Sequence, residues 1–249
     1  LSGTTNVFDF ANNTQVINAM ELMSWGVSNS YTIDNFSVVS SVSYTLSISN
    51  NALWFNPTSD LIALKTVTTV TNTAIYEAVA FQTNGLLIVD PTANLTITSG
   101  VSPTNKGSII IQGELTTPNV IIPEGGSTYL VTGKLNGDIE NKVGGYLFID
   151  PSTVNGSVTN SGVMSIADAG NVITGNLLLT GSSVLEVATG ATLNVGGSAT
   201  LGGSLVVSSV LPFGTKEAFL SASSISGSFA SIVAPETQRI RLLLELTGA

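Results

Sequence analysis

Between Gly85 and Ser209 the chain repeats one short pattern: a small residue, a run of alternating or continuous apolar residues, then a turn. The copies read Gly85-Leu-Leu-Ile-Val-Asp90, Gly107-Ser-Ile-Ile-Ile-Gln112, Ser127-Thr-Tyr-Leu-Val-Thr132, Gly145-Tyr-Leu-Phe-Ile-Asp150, Gly162-Val-Met-Ser-Ile-Ala167, Ser183-Val-Leu-Glu-Val-Ala188 and Gly203-Ser-Leu-Val-Val-Ser208. From Gly85 to Gly203 the mean spacing of their starts is about 20 residues, and a fixed period in this range marks a repeat architecture. Gly85–Pro91 (GLLIVDP) and Gly145–Pro151 (GYLFIDP) match closely, three periods apart. Runs of this length and make-up predict strands. The fold class expected is therefore all-β: a parallel β-solenoid (β-helix) with coils of about 20 residues. Parallel crossovers are almost always right-handed, so a right-handed coil is expected.

Upstream of Gly85 the chain carries strand signals without the clean period. Val42-Ser-Tyr-Thr-Leu-Ser-Ile48 alternates strictly and predicts a half-buried strand. Val67–Thr73 is rich in Val and Thr, as strands favour, and Ile75–Phe81 fits strand or helix. Thr14–Trp25 is the one plausible helix, with Val16, Ala19, Met20 and Met23 at helical spacing. A solenoid must cover the apolar core and free strand edge of its first coil. Residues 1–84 are therefore expected to form an irregular β-rich cap or subdomain, 85–209 the solenoid, and 210–249 a capping hairpin and strand. Asn84-Gly85, Asn136-Gly137 and Asn155-Gly156 supply corner residues that tolerate positive φ.

Composition narrows function mainly by exclusion. Only 9% of residues are charged, so the polar surface must come from Ser, Thr, Asn and Gly. The net charge is −9 and the seven bases are scattered, which argues against nucleic acid and against anionic membrane surfaces as partners. With no Cys and no His, thiol catalysis, His-dependent triads and Cys–His zinc sites are excluded. No apolar run reaches the roughly 20 residues of a spanning helix, so membrane insertion is not expected. The start at Leu1 fits a removed signal peptide or a trimmed end.

Candidate chemistry is sparse. Asp90 and Asp150 hold equivalent positions three coils apart, roughly 14 Å along the axis, too far for a glycosidase pair. Each is expected to cap its own Asp-Pro turn. Asp138 and Glu140 are expected on a solvated strand face near Lys134 and Lys142. The aspartate-bearing nonapeptide repeats of calcium solenoids are absent, and Asp168 stands as an isolated acid. No cofactor, metal or catalytic residue is implied. Asn12, Asn35, Asn94 and Asn155 head Asn-x-Ser/Thr triplets and are candidate glycosylation acceptors. The termini carry candidate assembly residues: Val7, Phe8 and Phe10 at one end, Ile240, Leu242 and Leu244 at the other. An apolar edge strand can add to a neighbour's sheet.

The stretch NLLLTGSSVLEVATGATLNVGGSATLGGSLVVSS from Asn176, followed by Phe213-Gly-Thr and Phe219–Ile232, completes the picture. Its Gly-Gly-x-Leu-x-Val strand and Ile-x-Gly-x-Phe hairpin resemble the closing coils of cell-surface β-solenoid proteins of the autotransporter-passenger and filamentous-adhesin type. The resemblance covers roughly residues 145–249. It implies a secreted or surface-displayed rod used for scaffolding, adhesion or assembly. The leading expectation is an extracellular, non-catalytic structural subunit that associates with itself into a fibre, sheath or layer. Alternatives are an adhesin that binds surface glycans and, with the least support, a carbohydrate-active enzyme.

Overall fold

The computed structural model describes residues 6–10, 20–24, 36–40, 44–49, 52–57, 61–64, 67–104, 106–208 and 217–234. All the regular structure among them is β. A nine-stranded and a ten-stranded sheet, both parallel, hold every described strand from Val67 to Val233 except Ala78–Phe81. The chain passes alternately between the two sheets, so each coil contributes to both. This is the β-solenoid that the period predicts.

The nine-stranded sheet forms the first wall. Its strands stack in register: Leu86 over Val67, Ser108 over Leu86, Ser127 over Ser108, Tyr146 over Ser127, Val163 over Tyr146, Val184 over Val163, Ser204 over Val184 and Ser231 over Ser204. The coils are unequal. The one from Tyr146 to Val163 is the shortest, the one from Leu86 to Ser108 is longer, and the last, from Ser204 to Ser231, is the longest. Eight steps of about 4.8 Å make a rod of roughly 38 Å. The ten-stranded sheet is interrupted once per coil. Register shifts fall between Thr116 and Asn119 and between Val195 and Ser198, and elsewhere two short strands replace one, such as Thr153–Asn155 and Val158–Asn160. Its two halves serve as a second and a third wall.

Alternation explains the core. In Tyr146–Asp150, Leu147 and Ile149 point inward at 0% exposure, while Tyr146, Phe148 and Asp150 point outward. The same phase in every coil stacks like on like: Val89, Ile111, Leu130, Ile149 and Ile166 form one column, and Leu95, Leu115, Leu135, Val154 and Ile173 another. Each such buried side chain contributes on the order of 1.5–3 kcal/mol, and disulfides are not needed. At strand entries the coils approach too closely for a side chain. A Cβ on Gly145 would lie 2.7 Å from the Ile122 carbonyl oxygen.

Three details differ from the sequence reading. The copy beginning at Ser127 is offset by one position, because Gly126, not Ser127, is equivalent to Gly107 and Gly145. Of the Asn-Gly corners, Asn84 (φ 58°) and Gly137 (φ 152°) use positive φ, but Asn155-Gly156 turns without it. The expected helix at Thr14–Trp25 is not one where it is described. Met20–Ser24 is a strand, antiparallel to Ala52–Pro57, which also pairs with Tyr44–Ser49. Cross-strand pairing with a partner distant in sequence outweighs a marginal helical spacing too short to be stable alone. The stack also takes in Val67–Val70 and Ala74–Tyr76, a rung ahead of Gly85, while Ala78–Phe81 pairs in parallel with Leu61–Leu64 in a separate two-stranded sheet.

Candidate interaction surfaces

The walls differ in what they show to solvent. On the first wall one outward column runs Ile88, Ile110, Tyr129, Phe148, then Ser165, Glu186 and Val206. The column beside it holds Leu86, Tyr146, Val163 and Val184 between serines. All of these are half-buried. The Tyr129 ring packs against Tyr146 and Phe148 of the next coil, with centroids 5.8 and 6.1 Å apart and planes tilted by 52° and 49°. Burial pushes the Tyr146 phenol above its ordinary pKa, against a hydrogen bond with Ser165. This face is apolar because runs such as Leu-Leu-Ile-Val and Tyr-Leu-Phe-Ile are continuous rather than alternating.

The second wall is polar at the same degree of exposure. Asn155 Nδ2 donates to Asn136 Oδ1 at 2.8 Å, and Asn136 Nδ2 donates to Thr116 Oγ1 at 3.0 Å and to Glu114 Oε1. Lys134 Nζ pairs with the same Glu114 oxygen at 3.1 Å. The Asn136 hydrogen bond, then Lys134, hold the Glu114 carboxyl below its ordinary pKa. These side chains form a ladder up the rod, each coil satisfying the next.

Where the first wall turns into the second, a shallow polar groove of about 370 Å³ runs along the corner across successive coils. Asn94, Gln112, Glu114, Lys134 and Thr153 line it. Thr132 lies in it with φ 56°, a conformation that a β-branched residue rarely adopts. Neutral amides and hydroxyls flanking one ion pair suit a polyhydroxylated ligand better than a charged one.

The carboxylates fall out differently from one another. Asp90 caps its own turn as expected, with Thr92 N and Oγ1 donating to Oδ1 at 3.2 and 3.0 Å. Asp150 does not. Its Oδ1 is buried without a partner, and the Ser152 hydroxyl that could have met it donates instead to the Asp150 carbonyl and accepts from Gly133 N. Nor is Asp168 isolated. The register that pairs Ile149 with Ile166 brings Ala167 against Asp150, and Asp168, the next residue, reaches the Asp150 carboxyl at the corner. Burial first, then the Asp168 charge, raise the Asp150 pKa. The short coil between Tyr146 and Val163 was the signal for this neighbourhood. Among the described residues no third acid joins them to hold a metal. Asp138 and Glu140 are exposed, Asp138 accepting from Ser157 N at 2.7 Å and Glu140 lying 3.9 Å from Lys142.

Of the candidate glycosylation acceptors, Asn94 is exposed at the start of its strand, whereas the Asn155 amide is engaged with Asn136. Asn12 and Asn35 lie outside the described residues. Val7, Phe8 and Phe10 belong to a strand that pairs in parallel with Phe36–Ser40 of the same chain. Ile240, Leu242 and Leu244 lie outside the described residues. No family model, curated protein or solved structure matches the chain.

Proposed function

We propose that this chain is an extracellular structural subunit that associates with itself into a surface fibre, sheath or layer. The observation that carries the reading is the state of the two ends. Among the described residues Val67–Val70 and Ala74–Tyr76 are the outermost strands of the two sheets at one end, and Ser231–Val233 is the outermost strand of the nine-stranded sheet at the other. Ile232 and Val233, in the last described strand, are 40% and 53% exposed. A parallel stack has the same strand direction at both ends, so one rod's last rung is a template for another's first. Contacts of that kind are heterologous and grow open filaments unless the rotation closes. Low charge weakens repulsion between copies. The resemblance of residues 145–249 to surface-displayed passenger and adhesin rods agrees with this and motivates the extracellular setting.

The test is assembly of the full chain, followed by electron microscopy and light scattering. Deleting residues 1–10, or replacing Leu242 and Leu244 with Asp, is expected to abolish polymers while far-UV circular dichroism stays β. Polymers of unchanged form from both variants would remove the termini from the interface.

A second reading, a glycan-binding adhesin, is favoured by the polar corner groove beside Asn94 and Thr153. Binding of a monomeric preparation to a glycan array, lost on Gln112→Leu, would select it.

A further inference from the structure

We propose that the outer face of the first wall docks on the same face of a second copy, about a two-fold axis through the Ser127–Val131 rung. The inference rests on the self-association reading above and names a lateral surface for it, distinct from the ends.

The face is self-complementary about that rung. Take the axis along the strand direction, so that the two rods run antiparallel. Tyr129 then meets Tyr129 of the second copy. Phe148, one coil further on, meets Ile110, one coil back, by the register of these strands. Val163 likewise meets Leu86. Glu186, the charged residue of the central column, falls opposite Thr69 at the rim, where water reaches it. The alternative with parallel rods in register would set Glu186 against Glu186. Aromatic side chains thus sit at the centre, aliphatic ones around them and a charge at the edge, the arrangement of an interface whose central residues carry the energy.

Size sets the strength. Seven rungs, each a short strand, cover roughly 29 by 13 Å, a footprint on the order of 400 Å² per copy. Over both copies that is about 800 Å², short of the roughly 1,000 Å² at which stable specific interfaces begin, so the dimer is weak and concentration-dependent. Aligned sheets pack face to face at about 10 Å, within reach of outward Tyr and Phe rings.

The absence of cysteine makes the geometry directly testable. In the full chain, Tyr129→Cys places a lone thiol on the axis, and Thr159→Cys places one outward on the third wall. A bis-maleimide spanning about 10 Å is expected to cross-link the first into dimers at least tenfold faster than the second, the gap between packed sheets being too wide for a direct disulfide. Tyr129→Ser combined with Phe148→Ser is expected to weaken the dissociation constant in sedimentation at least tenfold, with circular dichroism and Tm retained. If the wild type self-associates while the double variant does so equally and the two thiols cross-link alike, this face is not the interface and self-association stands elsewhere. If the wild type stays monomeric at all concentrations, the self-association reading falls and this inference with it. A monomeric wild type that binds glycans through Tyr129 and Phe148 would assign the face to a sugar and overturn the proposal.

Discussion

Asn141 Nδ2 donates to Asn160 Oδ1 at 2.6 Å, between two side chains that are both 0% exposed and lie directly one above the other. They interrupt an otherwise apolar column, between Ile122 below and Leu179 above. Their amides answer carbonyls that the turn back to the first wall leaves facing inward: Asn141 Nδ2 also donates to Val163 O at 2.8 Å, and Asn160 Nδ2 to Gly162 O at 3.1 Å. Asn160→Leu alone strands the Gly162 carbonyl and one Asn141 contact, and is expected to cost about 2–4 kcal/mol. The pair Asn141→Leu with Asn160→Leu is expected to cost less than the sum of the singles. A double-mutant cycle on thermal midpoints checks this, and additive costs would mean the two do not act together.

Thr128 stands in the inward column between Ile109 and Leu147, fully buried, and its hydroxyl has no partner. Thr128→Val keeps the shape and removes the desolvated oxygen. Stability is expected to rise by about 1 kcal/mol, which for a chain of this size raises Tm by roughly 2–4 °C. A lower Tm would show that the hydroxyl is bonded.

Ile149 sits between Leu130 and Ile166 in the same wall. Ile149→Asp places an unpaired charge among stacked aliphatic side chains and is expected to destabilise by more than about 4 kcal/mol, with loss of soluble protein. Phe148→Asp, at the neighbouring outward position, is expected to leave the fold intact. Similar expression and Tm for both variants would contradict the inward–outward phase.

Asp150 gives stability an acid-side dependence. Its folded pKa is raised, by burial and then by Asp168. A raised carboxyl favours the fold when protonated, so its contribution is fully present below the unfolded value of about 3.9 and is lost as pH rises through the folded value. Asp150→Asn is therefore expected to raise Tm at about pH 7 and to have little effect below about pH 3. Glu114 has the opposite sign: its lowered pKa favours the fold above the ordinary glutamate range and is lost on acidification. Glu114→Gln should thus lower Tm at about pH 7, and equal effects of the two substitutions there would refute the assignment.

What the sequence determined by itself is the local alphabet of the rod. Seven copies of a small-apolar-turn pattern gave strands and their period, because both are set by neighbours in sequence, whereas the phase of a continuous apolar run such as Tyr146–Ile149 is settled only by the stacking that turns Leu147 and Ile149 inward. The Asp90 turn was readable for the same reason, its cap lying close by at Thr92. Tertiary structure decided everything that depends on which coils touch. Coil lengths vary between Leu86 and Ser204, so the residue lying above a given side chain depends on where each corner absorbs the difference. That variation places Gly126 under Gly145, brings Asp168 beside Asp150, and buries Asn141 against Asn160. Met20–Ser24 shows the same competition: its spacing suited a helix, but pairing with Ala52–Pro57 supplies backbone hydrogen bonds along a strand that no isolated turn of helix could match.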